Sequence, residues 1–245
     1  QHAGTVFWWP TYATRAALDL CVLSKGKSSP DIFTERQMRG KKWDEPKSEE
    51  MAKLKRREAY REVVADDPLI KDKTVVDCMW AGRDKRDIKG EVHKSSARCT
   101  LRGDLHSKTY FVSENERFAP VARSTAMMAM DAVSTIKGQH FQDFDVEGAF
   151  LNGKQTESEQ VVARPPHDFR TFDERGVEIL WLMDVPLYGQ ADAAAIWYRT
   201  YNHFCTSPPA PDGTTTVAEG ARAIKIERGL GYERCDQEPC IYGRV

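Results

Sequence analysis

Apolar residues recur with two different periods along this chain. Residues 74–81 (TVVDCMWA) and 92–101 (VHKSSARCTL) predict two strands. The charged connection between them, with Gly90 near its end, makes the pair a hairpin. Residues 161–163 and 177–187 predict further strands, separated by Pro165-Pro166 and the turn-forming run Asp173-Glu174-Arg175-Gly176. Ser48 through Val64 has no proline or glycine and is rich in Glu, Lys, Arg, Met and Ala, which predicts a solvated helix. Met51, Leu54, Glu58 and Arg61 fall on one stripe, of which Met51 and Leu54 make a thin apolar face, and Lys47, Glu50, Lys53 and Arg57 form a second, polar stripe. Asp66-Asp67-Pro68 should end it, because a residue before proline resists the helical region. In 124–137, Ala126, Met127, Met130, Val133 and Ile136 fall three and four apart, the spacing of a helix packing on a core until Gly138. HFQDFDV (140–146) sets Phe141, Phe144 and Val146 among acids, as in a half-buried strand. Glu147-Gly148 breaks it, and Ala149-Phe150-Leu151 starts a short helix. Residues 190–204 predict a helix with Trp197, Tyr201 and Phe204 on one face, followed by a loop over 206–216. The tail from Ala221 carries a helix or strand and then the apolar segment Cys240-Ile241-Tyr242. Residues 1–42 read as a peripheral leader or linker: Ala16, Leu18, Leu20, Val22 and Leu23 suggest one short buried element, and KGKSSP (25–30) interrupts it.

Composition narrows the classes. At 245 residues the chain is one large domain or two small ones, long enough to bury a core. Lys and Arg total 36 against 37 Asp and Glu, a net charge of −1 that excludes a uniformly basic coat protein. Residues 83–102 depart from that balance, with seven basic and three acidic side chains. A solvated hairpin and a basic finger that touches phosphates are both consistent with this excess. No apolar run approaches the ~18 residues of a membrane helix, and no basic segment precedes an apolar one as in a secretory leader. The expected location is therefore inside the cell, with no membrane partner. The six cysteines are scattered and read as reduced thiols; Cys235 and Cys240 lack the second close pair that zinc would want. There is no glycine-rich phosphate loop, no G-x-S-x-G elbow, and no close spacing among His2, His93, His106, His140, His167 and His203.

Five blocks carry a resemblance. ERFAPVAR (116–123) is followed, after a helix, by QDFDVEGAFLNG (142–153), then VVARPPHDF (161–169), then VPLYG (185–189) with Trp197-Tyr198 beyond. Upstream lies MWAGRDKRDIKGEVHKSSARCTLRG (79–103). In this order the blocks resemble the reverse transcriptase of copia-type LTR retrotransposons, with its TFAPVAR, Q-x-D-V-x-x-AFLNG, PPGF and LYGLKQAPRAWY segments and its KARLVAKG hairpin. The resemblance covers about residues 43–245. It implies an α+β fold: reverse-transcriptase-like fingers and the first part of the palm, a mixed, mainly antiparallel sheet packed on helices. It also implies RNA-directed DNA synthesis, in which a primer 3′-hydroxyl attacks the α-phosphate of a dNTP with two Mg2+ ions (Mn2+ as the alternative). The partners it implies are an RNA template, a DNA primer, dNTP and the rest of a polyprotein with palm, thumb, RNase H and integrase. The setting would be a cytoplasmic virus-like particle or the nucleus.

The resemblance assigns Asp145 as the catalytic metal ligand, with the Val146 carbonyl beside it. A carboxylate at the end of a strand suits that task, since the turning backbone can offer a carbonyl to the same ion. On the residues alone Asp143 and Glu147 compete with it. Phe150, five residues on, matches the aromatic gate that excludes a ribose 2′-hydroxyl. Arg98 matches the Arg of the KAR block and would grip triphosphate, with Lys85 and Lys94 as further phosphate contacts. Tyr188, Gly189 and Asp192 belong to the template and nucleotide loop. Two departures stand out: Ser96 replaces the family's Lys, and LYGQADAAAIW (187–197) puts Asp192 where the family has Gln. The family's aromatic-x-Asp-Asp pair is expected after Val245, and Asp66-Asp67 lies too far upstream to replace it. The chain by itself is therefore expected to be inactive. A decayed relic, or a non-catalytic nucleic-acid-binding module using the hairpin 83–102, are the alternatives.

Overall fold

The computed structural model describes residues 31–104, 117–139, 146–209, 216–218 and 225–243. A seven-stranded sheet organises them. β3 (Val75–Arg86) and β4 (Val92–Leu101) form the expected hairpin, in register from Cys78 opposite Leu101 to Arg86 opposite Val92. β1 (Ile32–Thr34) pairs antiparallel with residues 81–83 of β3, on the edge away from β4. β5 (Val162–Arg164) pairs with the start of β3 in parallel. β7 (Glu178–Met183) pairs antiparallel with β5, with β6 (Thr171–Phe172) and with β2 (Tyr60–Val64). The sheet is thus mixed and mostly antiparallel, as expected. Two small hairpins, β8 (Thr216–Ala218) with β9 (Lys225–Arg228) and β10 (Glu233–Arg234) with β11 (Tyr242–Gly243), stand apart from it.

β7 is apolar at almost every position because both its faces are covered. Trp181 and Met183 face the main core with Trp80, Leu54, Met51, Cys99 and Leu187. Leu180 and Leu182 face the other way and pack with Ile70 and Val162. The main core also takes Met38 and Trp43. Residues 31–43 are therefore part of the sheet and its packing, although the sequence pattern leaves them in the leader; the apolar segment 16–23 lies outside the described residues.

The helix expected over 48–64 is two elements. α1 (Asp44–Arg56) ends in a left-handed cap: the Glu58 N–H donates to the Lys55 carbonyl and the Ala59 N–H to the Leu54 carbonyl. Glu58 has φ 44. The chain then turns into β2, whose five residues pair with β7. Tertiary pairing overrides the helix propensity of 57–64, where no glycine advertises the stop. Asp67 does not end a helix either; its carboxylate accepts from the Leu69 N–H and caps a short 3-10 turn at Pro68–Ile70.

α2 (Ser124–Ile136) forms where the period predicts it, but its apolar face is not in the core. On that stripe Ile136 is 84% exposed and Val133 41%, Ala126, Met127 and Met130 are half-buried, and of the whole helix only Ser134 is buried. α3 (Ala193–Thr206) behaves as expected: Trp197 and Tyr201 are buried and Phe204 half-buried, packed with Phe150, Cys205 and Tyr242. Among the described residues no helix is long and apolar enough to cross a membrane.

Candidate active site

Strand alternation decides which hairpin side chains work together. Residues opposite one another across β3 and β4 share a face. Trp80 and Cys99 face the core, so the next pairs, Ala81–Arg98, Arg83–Ser96 and Lys85–Lys94, alternate from it: odd-numbered β3 residues and even-numbered β4 residues point outward together. Arg83, Lys85, Lys94 and Arg98 therefore lie on one exposed face. Lys94 is partly engaged, 3.2 Å from the Glu49 carboxylate. Ser96, at the family's Lys position, donates its hydroxyl to the Arg83 carbonyl at 3.1 Å.

β4 also offers backbone N–H groups along its outer edge, which meet groups from other elements. Leu101 N–H donates to the Tyr188 carbonyl at 2.7 Å. The Cys99 N–H is turned toward the Glu50 carboxylate and lowers its pKa. These contacts set the 187–190 turn and α1 against the hairpin. The Arg98 guanidinium lies 5.2 Å from the centre of the Tyr188 ring, a cation–π contact. The Phe150 ring lies 5.9 Å from the same tyrosine ring, tilted by 55°. Burial raises the Tyr188 hydroxyl pKa, and the nearby Arg98 charge pulls it partly back. Gly189 has φ 85, and a Cβ there would meet the Leu101 carbonyl oxygen at 2.2 Å. The close approach of this turn to β4 thus requires glycine.

The polar stripe of α1 is not solvated as the sequence suggests. Lys47 and Glu50 are buried. Lys47 pairs with Asp168 and lies 5.6 Å from the Trp80 ring. Glu50 sits beside Arg98 and Lys53 with Oε1 lacking a hydrogen-bond partner. Burial pushes its pKa up, while Lys53, Arg98 and the Cys99 N–H pull it down.

The segment after Asp145 is held by the end of α1. Gly148 has φ 62, and Ala149–Asn152 forms a single 3-10 turn that buries Phe150, Leu151 and Asn152. Arg57 donates to the Asn152 side-chain oxygen at 2.6 Å and to the Glu147 carbonyl at 3.1 Å. Val146 is half-buried against the Phe150 and Trp197 cluster. Asp145 and its rival Asp143 lie outside the described residues. Among the described residues no group of three or more His, Cys, Asp or Glu side chains converges as a metal site.

The structure therefore brings Phe150, Tyr188, Gly189 and Arg98 together and sets Val146 beside them. Lys85 and Lys94 share the Arg98 face but lie farther along the hairpin. Asp192, assigned to the template and nucleotide loop, is 8% exposed at the start of α3. Gln190 closes the turn instead: its side-chain oxygen accepts from the Leu187 N–H at 3.3 Å, and its amide reaches Gln155 and Glu159 at 3.4 Å. Sequence reading missed Glu50, Lys53, Arg57 and Asn152. Asn152 lies inside a recognised block and was within reach; the α1 residues meet the site only through folding.

Residues 59–208 match the reverse transcriptase (RNA-dependent DNA polymerase) family. Two curated relatives from Arabidopsis thaliana are similar over about half of the chain. The Retrovirus-related Pol polyprotein from transposon RE2 is 27% identical over 131 residues, 52% of this chain and 9% of its own length. That from transposon RE1 is 26% identical over 125 residues, 51% of this chain and 8% of its own. The matched stretch is thus under a tenth of either polyprotein. No solved structure matches. The resemblance carried by the five blocks holds, and the chain belongs to the reverse transcriptase (RNA-dependent DNA polymerase) family.

Proposed function

We propose that residues 43–245, with β1, are the fingers and first part of the palm of an RNA-directed DNA polymerase in a copia-type retrotransposon polyprotein. The reading is carried by one observation: Phe150, Tyr188 and Arg98, from three separate blocks, meet within 5.9 and 5.2 Å ring contacts. In this reading Phe150 is the wall under the sugar of the incoming dNTP. Arg98 leaves its stack on Tyr188 to grip triphosphate oxygens, and Lys85 and Lys94 extend the cationic face toward phosphate. Tyr188 and Gly189 shape the side of the pocket facing the templating base, with Asp192 behind them at the helix start. The Asp145 carboxylate and Val146 carbonyl are hard oxygen donors of the kind Mg2+ takes. The ion would supply charge neutralisation at the phosphoryl oxygens. The chain's own part is to bind, orient and select the nucleotide against an RNA template and a DNA primer, in a virus-like particle or the nucleus.

Asp145→Asn in the full polyprotein polymerase should abolish Mg2+-dependent primer extension on RNA, a loss of at least ~100-fold if the carboxylate stabilises the transition state. Extension that survives would overturn the assignment. The outward row of Arg83, Lys85 and Lys94 favours a second reading, a nucleic-acid-binding module. That reading requires RNA binding by this chain that falls steeply with salt and ignores chelation of Mg2+.

A further inference from the structure

We infer that Arg57 is a positioning residue for sugar selection, acting by locking the turn from Glu147 to Asn152 that carries Phe150. The inference rests on the reading of Phe150 as the wall beneath the sugar. That turn has little to hold it by itself. Gly148 occupies the left-handed region at φ 62, and the four residues after it make one 3-10 turn. Short 3-10 turns have poor hydrogen-bond geometry and yield easily. Arg57, at the end of α1, bridges both ends of the turn. Its Nη2 donates to the Glu147 carbonyl at 3.1 Å, and its Nη1 to Asn152 Oδ1 at 2.6 Å. Asn152 Nδ2 donates to the same Glu147 carbonyl at 3.3 Å and closes the ring of contacts. Lys53, one helical turn earlier, stands 4.0 Å from the Glu147 carboxylate.

An apolar wall discriminates by clash, so it works only if it cannot retreat. The Phe150 side chain clusters with Ala193, Trp197 and Tyr201 and lies against Tyr188, which blocks sideways motion of the ring. What remains is displacement of the turn itself; Leu151 anchors its middle in the main core, and a planar guanidinium fork tied to both of its ends restrains the rest. Arg57 acts through the backbone that carries Phe150, which its bonds to Glu147 and Asn152 hold.

The test measures equilibrium binding of Mg2+-dATP and Mg2+-ATP to the 245-residue chain by calorimetry. Arg57→Ala should narrow the preference for dATP by roughly tenfold, the scale on which sub-ångström loss of positioning acts, with dATP affinity little changed. Arg57→Lys should recover only part of the preference, because one ammonium cannot act as a fork. In a Phe150→Val chain, Arg57→Ala should add no further loss, since the two residues act as a unit. An unchanged preference in an Arg57→Ala chain that melts like the wild type overturns the inference and leaves the nucleotide-site reading standing. If Arg57→Ala fails to fold, Arg57→Lys decides, and a wild-type preference there overturns it. An equal further loss on the Phe150→Val background also overturns it, because Arg57 would then act elsewhere. A wild-type chain that binds neither nucleotide overturns the site reading itself, and this inference with it.

Discussion

Glu50 concentrates the electrostatics of the site in one side chain. It is 6% exposed and lies within reach of the Lys53 and Arg98 charges and of the Cys99 N–H. Burial raises its pKa above the ordinary 4.5 in spite of Lys53 and Arg98. The folded chain therefore holds this proton more tightly than the unfolded chain. The stability it confers is complete below pH 4.5 and is lost as pH rises through the higher folded value. Glu50→Gln should flatten that part of the stability profile and leave the variant no less stable than wild type above it. Thermal unfolding across pH 4 to about 8 checks this; an unaltered downward slope would show that another group titrates. Arg57 makes the complementary point: two hydrogen bonds to residues 90 and 95 positions away give it a role that its place in a charged run conceals.

At the level of elements, α1 and β2 show how propensity loses to pairing. Residues 57–64 carry no helix breaker, yet Ala59 is buried and its carbonyl accepts from the Asp184 and Val185 N–H groups, which ties the chain to the end of β7. Five paired residues then offset the helix that is given up. The junction of β4 with the 187–190 turn is the other decisive contact. Gly189→Ala would force a left-handed side chain against the Leu101 carbonyl. The conformational part alone costs about 1–2 kcal/mol, and relief of the clash must part Tyr188 from β4. The expected result is a lower urea midpoint together with a larger solvent exposure of Tyr188 by fluorescence quenching. A midpoint equal to wild type would show that the turn moves freely away from β4.

For the whole molecule, the sheet has covered faces on both sides while one apolar helix stands open. Leu180, 2% exposed, packs on the side away from the main core with Ile70, Val162 and Leu182. Leu180→Ala should cost about 2–5 kcal/mol by lost transfer energy and cavity formation. Met128→Ala on α2 should stay within about 0.5 kcal/mol, because that side chain has no packed surroundings to lose. Denaturant unfolding of the two variants compares them directly, and a large loss for Met128→Ala would mean that α2 is covered in solution.

Much of the molecule is written in local pattern. The hairpin 75–101, the strands at 162–164 and 178–183, the helices at 124–136 and 193–206 and the family itself follow from alternation, helical spacing and ordered blocks, because each depends on residues close together in the chain. Phe150, Tyr188 and Arg98 were legible for the same reason: each sits inside its own block. Their meeting was not, since 52 residues separate Arg98 from Phe150 and the gap closes through tertiary contacts, among them the cap of β4 by Tyr188. Nor could local pattern show that β1 joins the sheet, that α1 stops at Arg56 or that Glu50 is buried. Those outcomes depend on which distant surface supplies a partner, and hydrogen-bond satisfaction and burial are settled only when the sheet is assembled.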